Sequence, residues 1–250
     1  MKIISNKSLS LSLISILIGI SISFTLVSQE KKTYSDQYWL QYYGQLQLNT
    51  KWSVPFDAGI RMRKAISEKA ATLARIAIQY QINKVLSTAL GGAYFSQYNN
   101  DKIVREEWRG YQEILMKQNF NRCYTSHRLR LEERYYYSLP TKTDFFNFRL
   151  RYRFYLTIPL NHTNMSAKTL YIIAGDELFL NFGNTVIYNY DQNRAIAGFG
   201  YKPTDNLLIN LTYVYQYTQK NSTDSFEHSD LLWLGIAQTL CFRKKDKTEN

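Results

Sequence analysis

Residues 145–158 carry the clearest alternation of side-chain types in the chain. One set of alternate positions is apolar or aromatic and consists of Phe146, Phe148, Leu150, Tyr152, Phe154, Leu156 and Ile158. The other set contains three arginines at consecutive alternate positions, Arg149, Arg151 and Arg153. Successive side chains of a β-strand point to opposite faces, so the pattern predicts a strand with one apolar wall and one basic wall.

The same period of two recurs along the chain and predicts eleven candidate strands. They cover residues 36–48, 52–63, 73–82, 86–97, 105–118, 124–137, 145–158, 169–181, 191–202, 207–219 and 229–242. The polar stretches between them tend to alternate between short and long, as do the turns and loops at the two ends of an outer-membrane barrel. Residues 64–71, 98–104 and 220–228 are predicted to be the longer loops, the first with a possible helical turn.

The expected fold is all-β, a closed antiparallel up-and-down transmembrane β-barrel of about 10–12 strands with a polar, basic lumen. Bacterial single-chain barrels have even numbers of strands. We therefore expect that one strand has been missed, split or merged, either within residues 86–118 or before residue 36.

Two environments fit an apolar wall, lipid or a second layer of protein. The predicted strands are long enough for a tilted bilayer crossing, and Tyr, Trp and Phe lie near their ends. Phe242 ends the last predicted strand, as suits outer-membrane insertion. These features favour the outer membrane. A secreted soluble lipocalin-like barrel, apolar inside and polar outside, is the structural alternative.

The first 28 residues resemble a secretory signal peptide. Lys2 and Lys7 precede an uncharged run over residues 8–28, which is rich in Leu, Ile and Ser. We expect cleavage after Ser28, with an N-terminal membrane anchor as the alternative. The predicted organisation is a cleaved signal peptide at 1–28, a barrel at 29–242 and a charged tail at 243–250, in the bacterial outer membrane.

Composition narrows the expected partners. The net charge of +11 is compatible with nucleic-acid binding, but the export signal and the spread of basic residues along the strands argue against that partner. Cys123 and Cys241 lie at the ends of well-separated strands, which argues against a disulfide, and with three histidines they form a poor basis for a metal site. We expect no cofactor, a monomer, and outer-membrane lipids and a small anionic solute as partners.

A ladder of charged side chains is the main candidate site. Its members share one wall of two neighbouring strands and are Arg128, Arg130, Glu132, Arg134, Arg149, Arg151 and Arg153. Further candidates for the lumen are Asp57, Arg61, Arg63, Arg75, Glu177 and Arg194. One interpretation is a lumen that attracts anions, as an anion-favouring channel or a binding site. The other, which we favour, is a packed network that fills a narrow structural barrel.

An outer-membrane lipid hydrolase is the enzymatic alternative. Such an enzyme needs a serine and a histidine within hydrogen-bonding distance. His127 has Ser126 beside it and His228 has Ser229 beside it, but adjacent strand residues point to opposite faces. No Gly-x-Ser-x-Gly motif occurs. We therefore assign no catalytic residue and expect no enzymatic activity.

Several short segments together resemble a known family. They are Tyr38-Trp39, Lys51-Trp52-Ser53, His127-Arg128-Leu129-Arg130-Leu131-Glu132, Asp176-Glu177-Leu178-Phe179-Leu180-Asn181-Phe182, Asp191-Gln192-Asn193-Arg194 and Gly198-Phe199-Gly200-Tyr201. In their order and spacing the chain resembles domain-of-unknown-function family 2490, described as outer-membrane barrels common in Bacteroidetes. The resemblance implies a porin-like architecture and a location, and no activity or catalytic residue.

Overall fold

The computed structural model describes residues 31–220, 222 and 225–241. The predicted signal peptide, the strand-ending Phe242 and the charged tail at 243–250 lie outside the described residues. Among the described residues, no helix has the length and apolar character that a membrane-spanning helix needs.

The described chain is all-β and forms a closed barrel, as the alternating pattern predicts. The eleven strands are β1 (Lys31–Gln47), β2 (Trp52–Arg63), β3 (Glu68–Gln81), β4 (Leu86–Asn99), β5 (Lys102–Phe120), β6 (Cys123–Ser138), β7 (Thr143–Pro159), β8 (Thr169–Phe182), β9 (Tyr190–Thr204), β10 (Leu207–Gln219) and β11 (Ser225–Cys241).

The barrel closes through a parallel pair. Each strand from β1 to β11 is antiparallel to the next one along the chain, whereas β1 and β11 run side by side in the same direction, with Lys31 opposite Ser225 and Gln47 opposite Cys241. An up-and-down sheet with an odd number of strands can close only in this way, because its first and last strands point the same way. The expected closed up-and-down barrel of about 10–12 strands is confirmed, whereas the expectation of an even number of strands is wrong, and the closing pair is parallel rather than antiparallel.

The barrel has two rims. The N-rim is the end where β1 and β11 begin, and it holds the connections 64–67, 100–101, 139–142 and 183–189. The C-rim is the end where β1 and β11 finish, and it holds the connections 48–51, 82–85, 121–122, 160–168 and 205–206. Short and long connections occur at both rims, so the expected division into a short-turn end and a long-loop end is wrong.

Two predicted loops are tight turns. Asn100 and Asp101, with φ of 48° and 57°, turn β4 directly into β5 where a seven-residue loop was expected at 98–104. Lys64, Ala65 and Ile66 also have positive φ, from 50° to 71°, and reverse β2 into β3 without a helical turn. Left-handed residues let a hairpin turn follow the twist of its strands, so the flanking polar residues stay in the strands. The third predicted loop, 220–228, is also shorter than expected, because β11 begins at Ser225 rather than at residue 229.

The two walls of the barrel differ in polarity. The inner wall carries most of the buried charged side chains, together with two apolar clusters. The clusters are Leu73, Ala77, Ala89, Ala93, Phe95 and Tyr111, and Trp39, Ile196, Val214 and Leu231. Glycine makes room for large rings inside this narrow barrel, since a Cβ at Gly175 would lie 2.2 Å from the Tyr155 ring.

Candidate functional site

The predicted ladder lies on the inner wall of β6 and β7. The register places Arg128 opposite Arg153, Arg130 opposite Arg151 and Glu132 opposite Arg149. Side chains at directly opposed positions of an antiparallel pair lie on the same face. Two arginines therefore meet two arginines, and the repulsion has to be offset by carboxylates from other positions.

Glu132 is the first of these carboxylates and is almost fully buried. Its Oε2 accepts hydrogen bonds from Nε and Nη2 of Arg149, at 2.9 and 2.6 Å, and its Oε1 accepts one from Nη1 of Arg151 at 2.6 Å. Arg109 and Arg130 approach within 3.5 and 3.8 Å. One carboxylate thus lies among four guanidinium groups, which is strong stabilisation of its charged form in a site of low dielectric constant.

Glu177, from β8, is the second carboxylate that offsets the positive charge of the ladder, and it lies on the β8 side of β7. Its Oε1 accepts hydrogen bonds from Nη2 of Arg151 at 2.7 Å and from Nη2 of Arg128 at 2.5 Å. Nη1 of Arg194 lies 3.7 Å from its Oε2, and Nε of Arg194 donates to Gln216 at 2.8 Å. Arg151 therefore bridges the two buried glutamates.

β5 supplies two carboxylates that the sequence analysis missed. Glu107 accepts hydrogen bonds from Arg109 and Arg134, both at 2.5 Å, and Glu113 accepts one from Nε of Arg130 at 2.7 Å. We call Glu107, Glu113, Glu132 and Glu177, with the seven arginines that contact them, the arginine network. Those arginines are Arg109, Arg128, Arg130, Arg134, Arg149, Arg151 and Arg194.

The remaining predicted lumen residues also lie on the inner wall, in smaller groups. Arg75 pairs with Asp57 at 2.9 Å, and Arg63 pairs with Glu68 at 2.6 Å near the N-rim. Arg61 and Arg153 form no ion pair with a described residue, and the Nε of each is buried without a hydrogen-bond partner there.

Aromatic rings offset part of the remaining positive charge. Phe179, which is almost fully buried, lies beneath the guanidinium groups of Arg149, Arg151 and Arg194, at 5.3, 4.6 and 4.6 Å from the ring centroid. The ring of Trp39 lies 4.0 Å from the guanidinium carbon of Arg61. A guanidinium over a ring face is attracted to the negative face of the π-system.

The interior is filled at the ladder and opens into a cavity nearer the N-rim. Arg130, Arg151 and Glu132 are buried. The cavity has a volume of about 520 Å³, and eleven arginines line it against three acidic residues, Glu177, Asp191 and Glu227. Its surface is therefore strongly cationic, which favours anions over cations.

The two histidines near serines lie on the outer wall. Nδ1 of His127 is hydrogen-bonded to the hydroxyl of Tyr152 at 2.8 Å, and His228 is hydrogen-bonded to the hydroxyl of Tyr215. Ser229 faces inward and is hydrogen-bonded to Ser35 at 2.8 Å. Neither histidine is brought onto the face of its neighbouring serine. Cys123 and Cys241 are both free.

The fold and interior define the class of protein: a closed eleven-stranded β-barrel whose lumen holds a network of arginines and glutamates. The profile of the family described as Protein of unknown function (DUF2490) matches residues 36–227, and the chain belongs to that family. The resemblance read from the sequence is thereby confirmed. No curated protein matches the chain.

Proposed function

We propose that the protein is a non-enzymatic barrel of the bacterial outer membrane that binds small anions in its arginine-lined interior. The observation that carries the membrane assignment is the polarity of the two walls. Phe148, Tyr152 and Leu211 point outward and are 39%, 44% and 50% exposed, while the arginine network is inside. A lipocalin-like barrel has the opposite arrangement, and lipid gives a mainly apolar outer wall of this extent a favourable environment.

Aromatic side chains at both rims support the same proposal. Tyr137 and Phe182 are exposed near the N-rim, and Trp52 and Phe120 are exposed near the C-rim. Tyr and Trp concentrate where hydrocarbon gives way to headgroups. The strands have 12–19 residues, which exceeds the ~9–11 that a tilted crossing needs.

Polar groups on the outer wall are hydrogen-bonded to their neighbours. Asp176 accepts a hydrogen bond from Asn193 at 2.8 Å, and Glu106 accepts one from Tyr94 at 2.6 Å. Pairing of this kind lowers the cost of placing a polar group against lipid. These residues are therefore compatible with a lipid-facing wall.

The filled lumen favours anion binding over conduction. Buried ion pairs occupy the interior at Arg130 and Arg151, whereas an open pore needs a continuous aqueous path. The cationic cavity on the N-rim side can still admit and hold an anion. Arg61 is a candidate ligand there, because, like Arg153, it lines the cavity and has no carboxylate partner among the described residues.

Two measurements test the proposal. Cells expressing the full chain should retain it in the outer-membrane fraction after alkaline carbonate extraction, and recovery in the soluble fraction without detergent contradicts the membrane assignment. In detergent, inorganic phosphate should raise the unfolding midpoint above that in chloride of equal ionic strength, since a ligand of the native state stabilises it. Arg61→Gln should weaken that shift. Steady conductance in a planar bilayer would instead favour the anion channel.

A further inference from the structure

A second cavity lies at the N-rim, under the connection 183–189. It is beside the end of β6 and the start of β7. Its volume is about 350 Å³, and its lining includes Arg105, Asn147, Tyr188 and Tyr190. Volumes of this order are at the small end of the range for small-molecule sites. We call it the rim pocket.

Asn147 is the unusual member of this lining. Its side chain is 7% exposed, and its Oδ1 atom has no hydrogen-bond partner among the described residues. Buried amide oxygens are normally hydrogen-bonded, so an unsatisfied one that lines a cavity indicates a place for a donor from a ligand. The neighbouring Asn181 accepts a hydrogen bond from Arg134 at 3.4 Å and is already engaged.

Arg105 supplies the charge. Its Nε is buried and unpartnered, its guanidinium lies 5.1 Å from the ring centroid of Tyr136, and it forms no ion pair with a described residue. Arg134 and Asp191, which also line the pocket, are paired with Glu107 and Arg149 respectively. The pocket therefore combines one uncompensated cation with one unsatisfied acceptor.

We propose that the rim pocket binds a small acid that also carries hydroxyl groups, of the sugar-acid class. A carboxylate matches the planar fork of the Arg105 guanidinium. A hydroxyl can donate to Oδ1 of Asn147. The aromatic residues Tyr188 and Tyr190 also line the pocket, and aromatic side chains of this kind can contribute apolar contacts to the C–H groups of a sugar ring. This inference deepens the proposed anion binding by naming a ligand class and a first site at the mouth of the lumen.

The test is calorimetric titration of the detergent-solubilised full chain with three probes: D-glucuronate, D-glucose and inorganic phosphate. Glucuronate should bind at least tenfold more tightly than glucose, which lacks the carboxylate, and more tightly than phosphate. Arg105→Gln and Asn147→Ala should each weaken glucuronate binding about tenfold, because each removes a hydrogen bond to the ligand, and Arg105→Gln removes a charge-assisted one.

Lys142→Gln is the matched control. Lys142 is an exposed cation in the connection 139–142 at the same rim and lines neither the rim pocket nor the lumen cavity, so the substitution should leave glucuronate binding unchanged. Equal binding of glucuronate and glucose, or glucuronate binding unaffected by either Arg105→Gln or Asn147→Ala, overturns the rim-pocket proposal; Asn147 lines the rim pocket alone, whereas Arg105 also lines the lumen cavity. If phosphate still stabilises the protein and Arg61→Gln still weakens that effect, the proposed lumen function survives the failure of the rim-pocket proposal. If glucuronate fails these tests and phosphate also fails to stabilise the protein, both the rim-pocket proposal and the proposed lumen function are overturned.

Discussion

Glu132 and Arg149 lie directly opposite each other on β6 and β7, and the carboxylate receives two hydrogen bonds from the guanidinium, at 2.9 and 2.6 Å. Both residues are nearly buried, with 1% and 6% of their surfaces exposed. A pair of charges removed from water in this way is stable only while every partner stays in place. Arg151 also donates to Glu132, so this one carboxylate links two cross-strand pairs of the ladder, Glu132 with Arg149 and Arg130 with Arg151.

Replacing this carboxylate should therefore be costly. In Glu132→Gln, the seven guanidinium groups of the arginine network share three glutamates and Asp191 instead of four glutamates and Asp191, and buried positive charge is left uncompensated. We expect the free energy of unfolding to fall by about 3–5 kcal/mol, the range for breaking a buried ion pair. Urea unfolding of the detergent-solubilised protein, followed by tryptophan fluorescence, measures the change.

The adjacent residue provides the control. Glu133 is on the outer wall, where it accepts a hydrogen bond from Gln112 at 3.1 Å. Glu133→Gln keeps that contact and removes a charge from the outer wall, so stability should be unchanged or slightly higher. Equal losses of unfolding free energy in the two variants would contradict a specific role for the buried carboxylate of Glu132, because Glu133 lies outside the arginine network.

The sequence was sufficient to predict the network where both walls are regular. Around Arg149 and Arg151 every outward residue is apolar and every inward one is polar or aromatic, so period-two alternation is unambiguous. On β5 the inward residues Glu107, Arg109 and Glu113 alternate equally well. Their outward neighbours include Glu106, Gly110 and Gln112, which remove the apolar contrast. The signal that could have identified Glu107 and Glu113 is the alternation of charged residues at the inward positions of β5.

Strand closure was not predictable from local pattern. Gln37 is paired with Leu231 on β11 and with Arg63 on β2. Which strand pairs with β1 across the closure depends on the total number of strands, and the side-chain pattern of β1 itself contains no information about that number. The turn at Asn100 and Asp101 was predictable in principle, since Asn and Asp tolerate the left-handed conformation that tight hairpins need.

The ring of Phe179 should stabilise the network beyond filling space. In Phe179→Leu, three guanidinium groups lose their aromatic face while the site stays apolar. We expect a loss of about 1–3 kcal/mol, which combines the cation–π contribution with a small cavity. Phe199→Leu is the control, because Phe199 is 67% exposed on the outer wall. Urea unfolding of both variants should show the larger loss at 179; the reverse order would exclude a role for the ring.

Charge on the outer wall should be penalised according to depth. Ile76 lies in the middle of β3 and Leu170 is the second residue of β8, near the C-rim, and both side chains are exposed on the outer wall. If lipid surrounds the barrel, Ile76→Arg should cost about 2–4 kcal/mol in lipid vesicles and Leu170→Arg about 0–1 kcal/mol. Folding yields and urea midpoints in vesicles measure both. Equal, small effects would argue that water reaches the middle of the wall.

Any membrane that the barrel spans has the N-rim on one side and the C-rim on the other. Cys123 and Cys241 both lie at the C-rim, whereas Ala65 is in the N-rim turn between β2 and β3. We expect a membrane-impermeant maleimide, applied to intact cells, to label either the native cysteines or an Ala65→Cys variant lacking them, but not both. Lysed cells provide the control, because each exposed position, Cys241 and residue 65, should then react. Labelling of both from outside intact cells would mean that residue 65 and the cysteines are accessible from the same side, which would contradict a barrel that spans the membrane with the N-rim and the C-rim on opposite sides.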